Sequence, residues 1–197
     1  LKNKVTAVLL RWKRHDELRE IEAHLRTFPF IGEVIIWDNT RGENFINFGR
    51  YLAAAEAENE TIYTQDDDCI IENVEELFNV YESHNRTKLV NGMKRERMAF
   101  YRGRDSMMGW GGFFERSWVS CLTGYVHKYG RDQVFYRETD RIFTSLLRVE
   151  RVTMVADVRD FPSAMAGHSL SLQGDHENMK SIALHRCLII GRENHDG

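Results

Sequence analysis

The strongest constraint on the fold sits near the start of the chain. Val5 to Leu10 (VTAVLL) is an almost unbroken apolar run, the pattern of a strand covered on both faces in a parallel sheet. Between Asp16 and Phe28, Leu18, Ile21, Leu25 and Phe28 recur at helical spacing and predict one apolar stripe. A second apolar run, Val34 to Trp37, then ends in Asp38-Asn39-Thr40. Strand, helix, strand is a βαβ opening, which points to an α/β protein.

The rest of the chain continues the alternation. Alanine-rich Tyr51 to Glu58 predicts a helix, Thr61 to Thr64 a third strand, the segment from Val74 a helix, and Lys88 to Asn91 a fourth strand. A basic stretch (KRERMAFYRGRD) and a glycine cluster at Gly109-Trp110-Gly111-Gly112 follow. Then come a helix through Trp118, Leu122 and Tyr125, the amphipathic RETDRIFTSLL, a short strand from Val152 to Val155, and a last helix carrying Met179, Ile182 and Leu188. With 197 residues, 42% of them hydrophobic, the chain fits one compact domain with a mostly parallel central sheet flanked by helices.

Formal net charge is -3, with 27 basic and 30 acidic residues interleaved, so no basic arm marks a nucleic-acid partner and any anionic ligand is met locally. Cys69, Cys121 and Cys187 are widely spaced, form no metal-binding pair, and read as small buried hydrophobes. No apolar run reaches the length of a membrane span. The expected compartment is the cytoplasm, or the Golgi lumen if an N-terminal anchor precedes Leu1. Two glycosylation sequons, at Asn59 and Asn85, are within chance expectation and do not decide the compartment.

Asp66-Asp67-Asp68 directly follows the third predicted strand. One reading is a helix cap, but Asn73 with Glu76 already supplies a capping box for the next helix. A solvated acidic loop is the second reading. Adjacent carboxylates about 4 to 7 Å apart repel by roughly 1 kcal/mol in water and several-fold more near a sheet edge, and such crowding favours a third reading, a bound cation. In extended chain Asp66 and Asp68 share one side, about 7 Å apart, while Asp67 points away. Oxygen-only donors suit Mg²⁺ or Mn²⁺ with positions left for phosphate oxygens, and ligands of open α/β sheets lie beyond the strand ends.

These features together resemble nucleotide-sugar-dependent glycosyltransferases of the glycosyltransferase-A (Rossmann-like) fold, and the motif order is most similar to the exostosin-type catalytic domain. Four motifs carry the resemblance: WDN at Trp37 to Asn39, DDD at Asp66 to Asp68, Gly-x-x-Phe-Phe at Gly111 to Phe114 after GW, and the acidic pair in RETDRIFTSLL. The resemblance implies a transfer from a nucleoside diphosphate donor, a UDP-sugar above all, to a carbohydrate or other hydroxyl acceptor, with Mn²⁺ or Mg²⁺ as cofactor. Residues 1–92 would form the nucleotide-sugar-binding half and residues 93–197 the acceptor-binding half. Carried over by position, Asp68 would hold the metal, Asp66 would bond the ribose or bridge through the metal, and Asp67 would approach sugar hydroxyls. Asn39 would border the nucleotide pocket, Arg50 would lie near the base or diphosphate, and Asp140 would face the reacting centre. The C-terminal GDHENMKSIALHRC loosely matches a histidine-bearing end, which makes His176 the candidate third metal ligand beside Asp66 and Asp68. An exostosin-like arrangement implies retention at the anomeric carbon, whereas a base at Asp140 implies inversion.

Glu138 and Asp140 are either helix-start acids favoured by the dipole or a general base for the acceptor hydroxyl, Asp140 ahead of Glu138. Trp110 between glycines is the candidate acceptor platform, against a place in the core. His168 and His185 are weighed with His176 and set aside, and Lys180 and Arg186 are possible phosphate contacts. The stretch holding Lys94, Arg95, Arg97, Arg102 and Arg104 reads as solvated surface, or as a docking face for an anionic acceptor. Two rival functions stand beside the transferase: a nucleotidyltransferase, although LLRWKRHDEL lacks the glycines its first loop normally carries, and a non-catalytic sugar- or nucleotide-binding module.

Overall fold

A computed structural model describes residues 4–99, 106–165 and 175–193. The βαβ opening is present as strand β1 (Val5–Arg11), helix α1 (His15–Leu25) and strand β2 (Ile31–Asp38), with β1 and β2 parallel. Helix α2 (Gly49–Glu56) leads to strand β3 (Thr61–Thr64), also parallel to β1. Helix α3 (Val74–Ser83), after a strand β4 (Cys69–Ile71), crosses to strand β5 (Leu89–Met93). Strand β6 (Gly112–Glu115) runs back, antiparallel, between β3 and β5. Helices α4 (Leu122–Tyr129) and α5 (Gln133–Leu146) precede strand β7 (Arg151–Val155), which joins β5 in parallel. Among the described residues the main sheet has six strands in the order β2-β1-β3-β6-β5-β7. Strand β8 (Val158–Asp160) pairs with β4 in a separate two-stranded sheet, and helix α6 (His176–Glu193) closes the described chain.

Side-chain alternation divides the core into two layers. Val5, Ala7 and Leu9 of β1 pack with Leu18, Ile21 and Leu25 of α1 and with α3 on one face. Val8 faces the other way and packs with Tyr51, Ala53 and Ala54 of α2 and Phe135, Ile142 and Phe143 of α5. Both faces of β1 are therefore buried, as its unbroken apolar run requires.

Strands β4, β6 and β8 are absent from the sequence reading. β4 and β8 are three residues each and β6 is four, too short for period-two alternation to stand out. Asn73 is a correction: it makes no side-chain cap on α3, because its amide accepts from the Asp157 N–H at 2.8 Å and donates to the Val155 carbonyl at 3.1 Å. It ties the start of α3 to the turn after β7 instead. Leu188 of the last helix is 53% exposed, and Ala183 and Cys187 provide that helix's buried face. Cys69 and Cys187 are buried, Cys121 is only partly so, and all three are free thiols.

Candidate active site

A cavity of about 550 Å³ opens beyond the C-terminal ends of β1, β2 and β3 and reaches α5 and the first residue of α6. Asn39, Arg50, Asp66, Asp67, Asp68, Trp110, Glu138, Asp140 and His176 all line it. Residues put forward from six separate stretches of sequence thus meet in one place. His168, Arg102 and Arg104 lie outside the described residues, Arg95 and Arg97 are exposed, and Arg186 is engaged at 2.7 Å with Asp132.

The triplet does not continue β3 as extended chain. Asp67 and Asp68 form a turn between β3 and β4, so the expected alternation, with Asp67 pointing away, is overturned and all three carboxylates border the cavity. Asp66 is fixed from two sides: its N–H donates to the Gly109 carbonyl at 2.9 Å, and its carboxylate accepts from Arg50 Nη2 at 2.6 Å. A Cβ on Gly109 would lie 2.1 Å from the Asp66 carboxylate, so the residue opposite must be glycine. Gly111, at φ +88°, then turns the chain into β6 through a conformation that only glycine adopts freely. Between the two, Trp110 is left on the cavity wall, half-buried, with the Lys94 ammonium 5.4 Å from its ring centre. The glycine cluster is thus explained by close approach and turning.

Asp67 pairs with Arg14 Nη1 at 2.7 Å, and Arg14 also donates to the Ser163 carbonyl at 3.2 Å. Burial nevertheless raises the Asp67 pKa against the pull of Arg14. The Asp68 backbone carbonyl accepts from the Phe161 N–H at 2.9 Å, but its carboxylate makes no hydrogen bond or ion pair to the described residues, and burial, with the nearby charge of Asp66, pushes it up to about 6. Two of the three charges are therefore answered by buried arginines, and the third is not.

No group of three His, Cys, Asp or Glu side chains converges to hold a metal among the described residues. His176, expected as a third ligand, borders the cavity with its Nδ1 3.2 Å from Glu138 Oε1. The donor set still fits Mg²⁺ or Mn²⁺, which are commonly held by one or two carboxylates plus phosphate oxygens and water. Asp68, half-buried and without an ion pair among the described residues, is the carboxylate of this cavity left open to a cation.

Glu138 and Asp140 do not start a helix. Helix α5 begins five residues earlier at Gln133, capped by Asp132, whose carboxylate accepts from the Phe135 N–H at 2.9 Å. Asp140 accepts from the Tyr51 hydroxyl at 2.9 Å and lies 3.5 Å from Arg50 Nε. Burial pushes its carboxyl up to about 6, opposed by Arg50 and aided by the charge of Asp66. Burial by itself would lower the Arg50 pKa, but Asp140 and Asp66 raise it, so the guanidinium is a permanent cation joining the two acidic clusters. Glu138, 4% exposed, is held through Oε2 by Arg141 Nε at 3.2 Å.

Asn39 lines the cavity, but its amide is already used: Oδ1 accepts from the Phe45 N–H at 3.1 Å and Nδ2 donates to the Ile46 carbonyl at 3.0 Å. It holds a turn in which Ile46 adopts φ +49°, a conformation costing a β-branched residue about 1–3 kcal/mol. Arg14, Tyr51, Ile46 and Asn47 are site residues that sequence reasoning missed. Only Arg14 had a visible signal, the basic RWKR run directly after β1.

The element order, the sheet and the place of the cavity give an α/β fold of the glycosyltransferase-A kind. S. aureus TarS 1-349 is similar in structure at 12% identity, with 93% of this chain and 80% of that chain covered and a TM-score of 0.54. The same protein in complex with UDP-GlcNAc gives a TM-score of 0.50 at 11% identity, covering 93% of this chain and 66% of that one. The 4-diphosphocytidyl-2C-methyl-D-erythritol synthase of Anaerococcus prevotii is similar at 10% identity, covering 79% and 90%, with a TM-score of 0.51. At such identities these likenesses establish the fold. No protein-family model matches the chain, and no curated protein matches it in sequence. Among the described residues no helix is long and apolar enough to cross a membrane.

Proposed function

We propose that the chain is a metal-dependent glycosyltransferase that moves a sugar from a nucleoside diphosphate donor, a UDP-sugar, to an acceptor hydroxyl. The observation that carries this reading is the charge arrangement at the β3–β4 turn. Arg50 and Arg14 answer Asp66 and Asp67, while the carboxylate of Asp68 borders the same cavity with no ion pair of its own among the described residues. Residues 1–92 supply this donor side, and residues 93–197 supply Trp110, Glu138, Asp140 and His176 opposite. The succession of WDN, DDD, Gly-x-x-Phe-Phe and the acidic pair resembles the exostosin type, from whose retaining outcome a base at Asp140 departs.

Asp68 and Asp66 would hold Mn²⁺ or Mg²⁺. When bound, the ion supplies positive charge that stabilises the departing diphosphate more than the intact donor. Asp140 takes the proton of the acceptor hydroxyl, because its pKa of about 6 suits a base working near neutrality. As that O–H bond breaks, the acceptor oxygen bonds the anomeric carbon, and the bond from that carbon to the diphosphate breaks with its electron pair leaving on UDP. Tyr51 and Arg50 orient Asp140, and Trp110 offers a ring face to a sugar. A base at Asp140 gives inversion at the anomeric carbon.

The test is UDP release from a panel of UDP-sugars with and without Mn²⁺, using the wild type and Asp68→Ala. Metal-dependent release that the variant lacks supports the proposal. Pyrophosphate release from a nucleoside triphosphate would identify a nucleotidyltransferase instead, and tight binding without turnover would identify a binding module.

A further inference from the structure

Arg137, Glu138, Asp140 and Arg141 all line the same cavity, although they lie within five consecutive positions of α5. In a regular α-helix these four positions spread over about 160° around the axis, with Glu138 and Asp140 at the two edges of that face. Here α5 is broken between its two halves: the backbone at Glu138 (φ −105°, ψ 18°) leaves the helical range. A side chain from outside the helix acts at this point. Asn47 Nδ2 donates to the carbonyl of Arg137 at 2.8 Å, the group immediately before the break.

Asn47 is itself delivered by an unusual backbone. It follows Ile46 at φ +49°, and that turn is held by both ends of the Asn39 amide. A bonded path therefore runs from the end of β2 to the middle of α5. Beyond the break, Arg141 and His176 meet Glu138 at 3.2 Å each, and Tyr51 meets Asp140 at 2.9 Å.

We infer that Asn47 is a positioning residue of the acceptor side: by taking the Arg137 carbonyl it breaks α5, and the break lets Glu138 and Asp140 face one cavity together. The inference rests on the proposed transferase reading for its kinetic consequence but not for its geometric one. Two variants test it. Asn47→Ala removes the donor, and Asn47→Asp removes it at constant volume, so that the second carries the test if the first fails to fold. A crystal structure of either variant should show α5 continuous through Glu138, with that carboxylate carried away from His176. In turnover of a UDP-sugar, kcat should fall at least about tenfold while Mn²⁺-dependent UDP affinity stays within about twofold, a split that general destabilisation does not produce. A break that persists in both variants overturns the inference, as does unchanged kcat in Asn47→Asp. If α5 straightens and the wild type transfers no sugar from any donor, the positioning role stands and the transferase reading fails.

Discussion

The two acidic clusters that face each other across the cavity are built by opposite means. On the donor side, three carboxylates are gathered by sequence adjacency, and the fold then has to relieve their repulsion with Arg14 and Arg50. On the other side, two carboxylates two positions apart border the cavity from α5, which is broken at the first of them. In the proposed reading the first cluster meets the donor's cation and the second faces the acceptor. Arg50 touches both, at 2.6 Å from Asp66 and 3.5 Å from Asp140, so the clusters share a counter-ion.

Variants that treat the clusters separately sharpen this contrast. The largest effect is expected for Asp68→Ala, which should lower metal-dependent UDP-sugar turnover by about 10²–10³-fold and abolish the Mn²⁺-dependent thermal shift given by UDP. Asp140→Asn should lower kcat by about 10²-fold or more and leave that thermal shift intact, because it removes a base and spares the donor side. Gly109→Ala puts a methyl 2.1 Å from the Asp66 carboxylate and should destabilise the fold by about 1–3 kcal/mol, read from chemical denaturation. It should also weaken UDP binding.

A smaller effect concerns pH. Burial raises both Asp68 and Asp140 from the ordinary 3.8 to about 6. Above pH 6 both are ionised in the folded and the unfolded chain, and the cost of burying them is fully present. Between about 6 and 3.8 the folded protein holds protons that the unfolded chain lacks, so stability rises as pH falls. The Tm of the metal-free protein should therefore climb as pH drops from about 7.5 to about 5.5 through these two groups. Asp68→Asn should raise Tm at about pH 7.5 by a few degrees, up to about 2 kcal/mol, and by nothing near pH 4. A flat pH response in both proteins would show that Asp68 is not strained by burial. The smallest effect is expected for Trp110→Ala, about 1 kcal/mol in acceptor KM with donor KM unchanged.

Much of this organisation is legible in the residues. The apolar runs of β1 and β2 and the stripe of α1 report burial on both faces and on one face, which is what periodicity measures, and the triplet marks the cavity by charge alone. The missing parts depend on tertiary contact. Whether Asp67 points in or out is decided by a turn and by Arg14, 53 residues away in sequence. Asn39 at the end of β2 is legible as a cavity residue, yet its amide serves the Ile46 turn, which no local pattern announces. Glu138 and Asp140 read as helix-start acids because they directly precede the apolar Ile142, Phe143, Leu146 and Leu147, whereas the break at Glu138 is announced by no local pattern and the Asn47 that bonds the carbonyl before it lies 90 residues away.

The central claim is that Asp68 holds a divalent cation against a nucleoside diphosphate. Crystals grown with UDP and Mn²⁺, with anomalous scattering used to locate the manganese, test it most directly. The account predicts one manganese peak bonded to the Asp68 carboxylate and to oxygens of both phosphates of UDP. UDP bound in this cavity with Asp68 unliganded, or manganese bound elsewhere on the molecule, would contradict it.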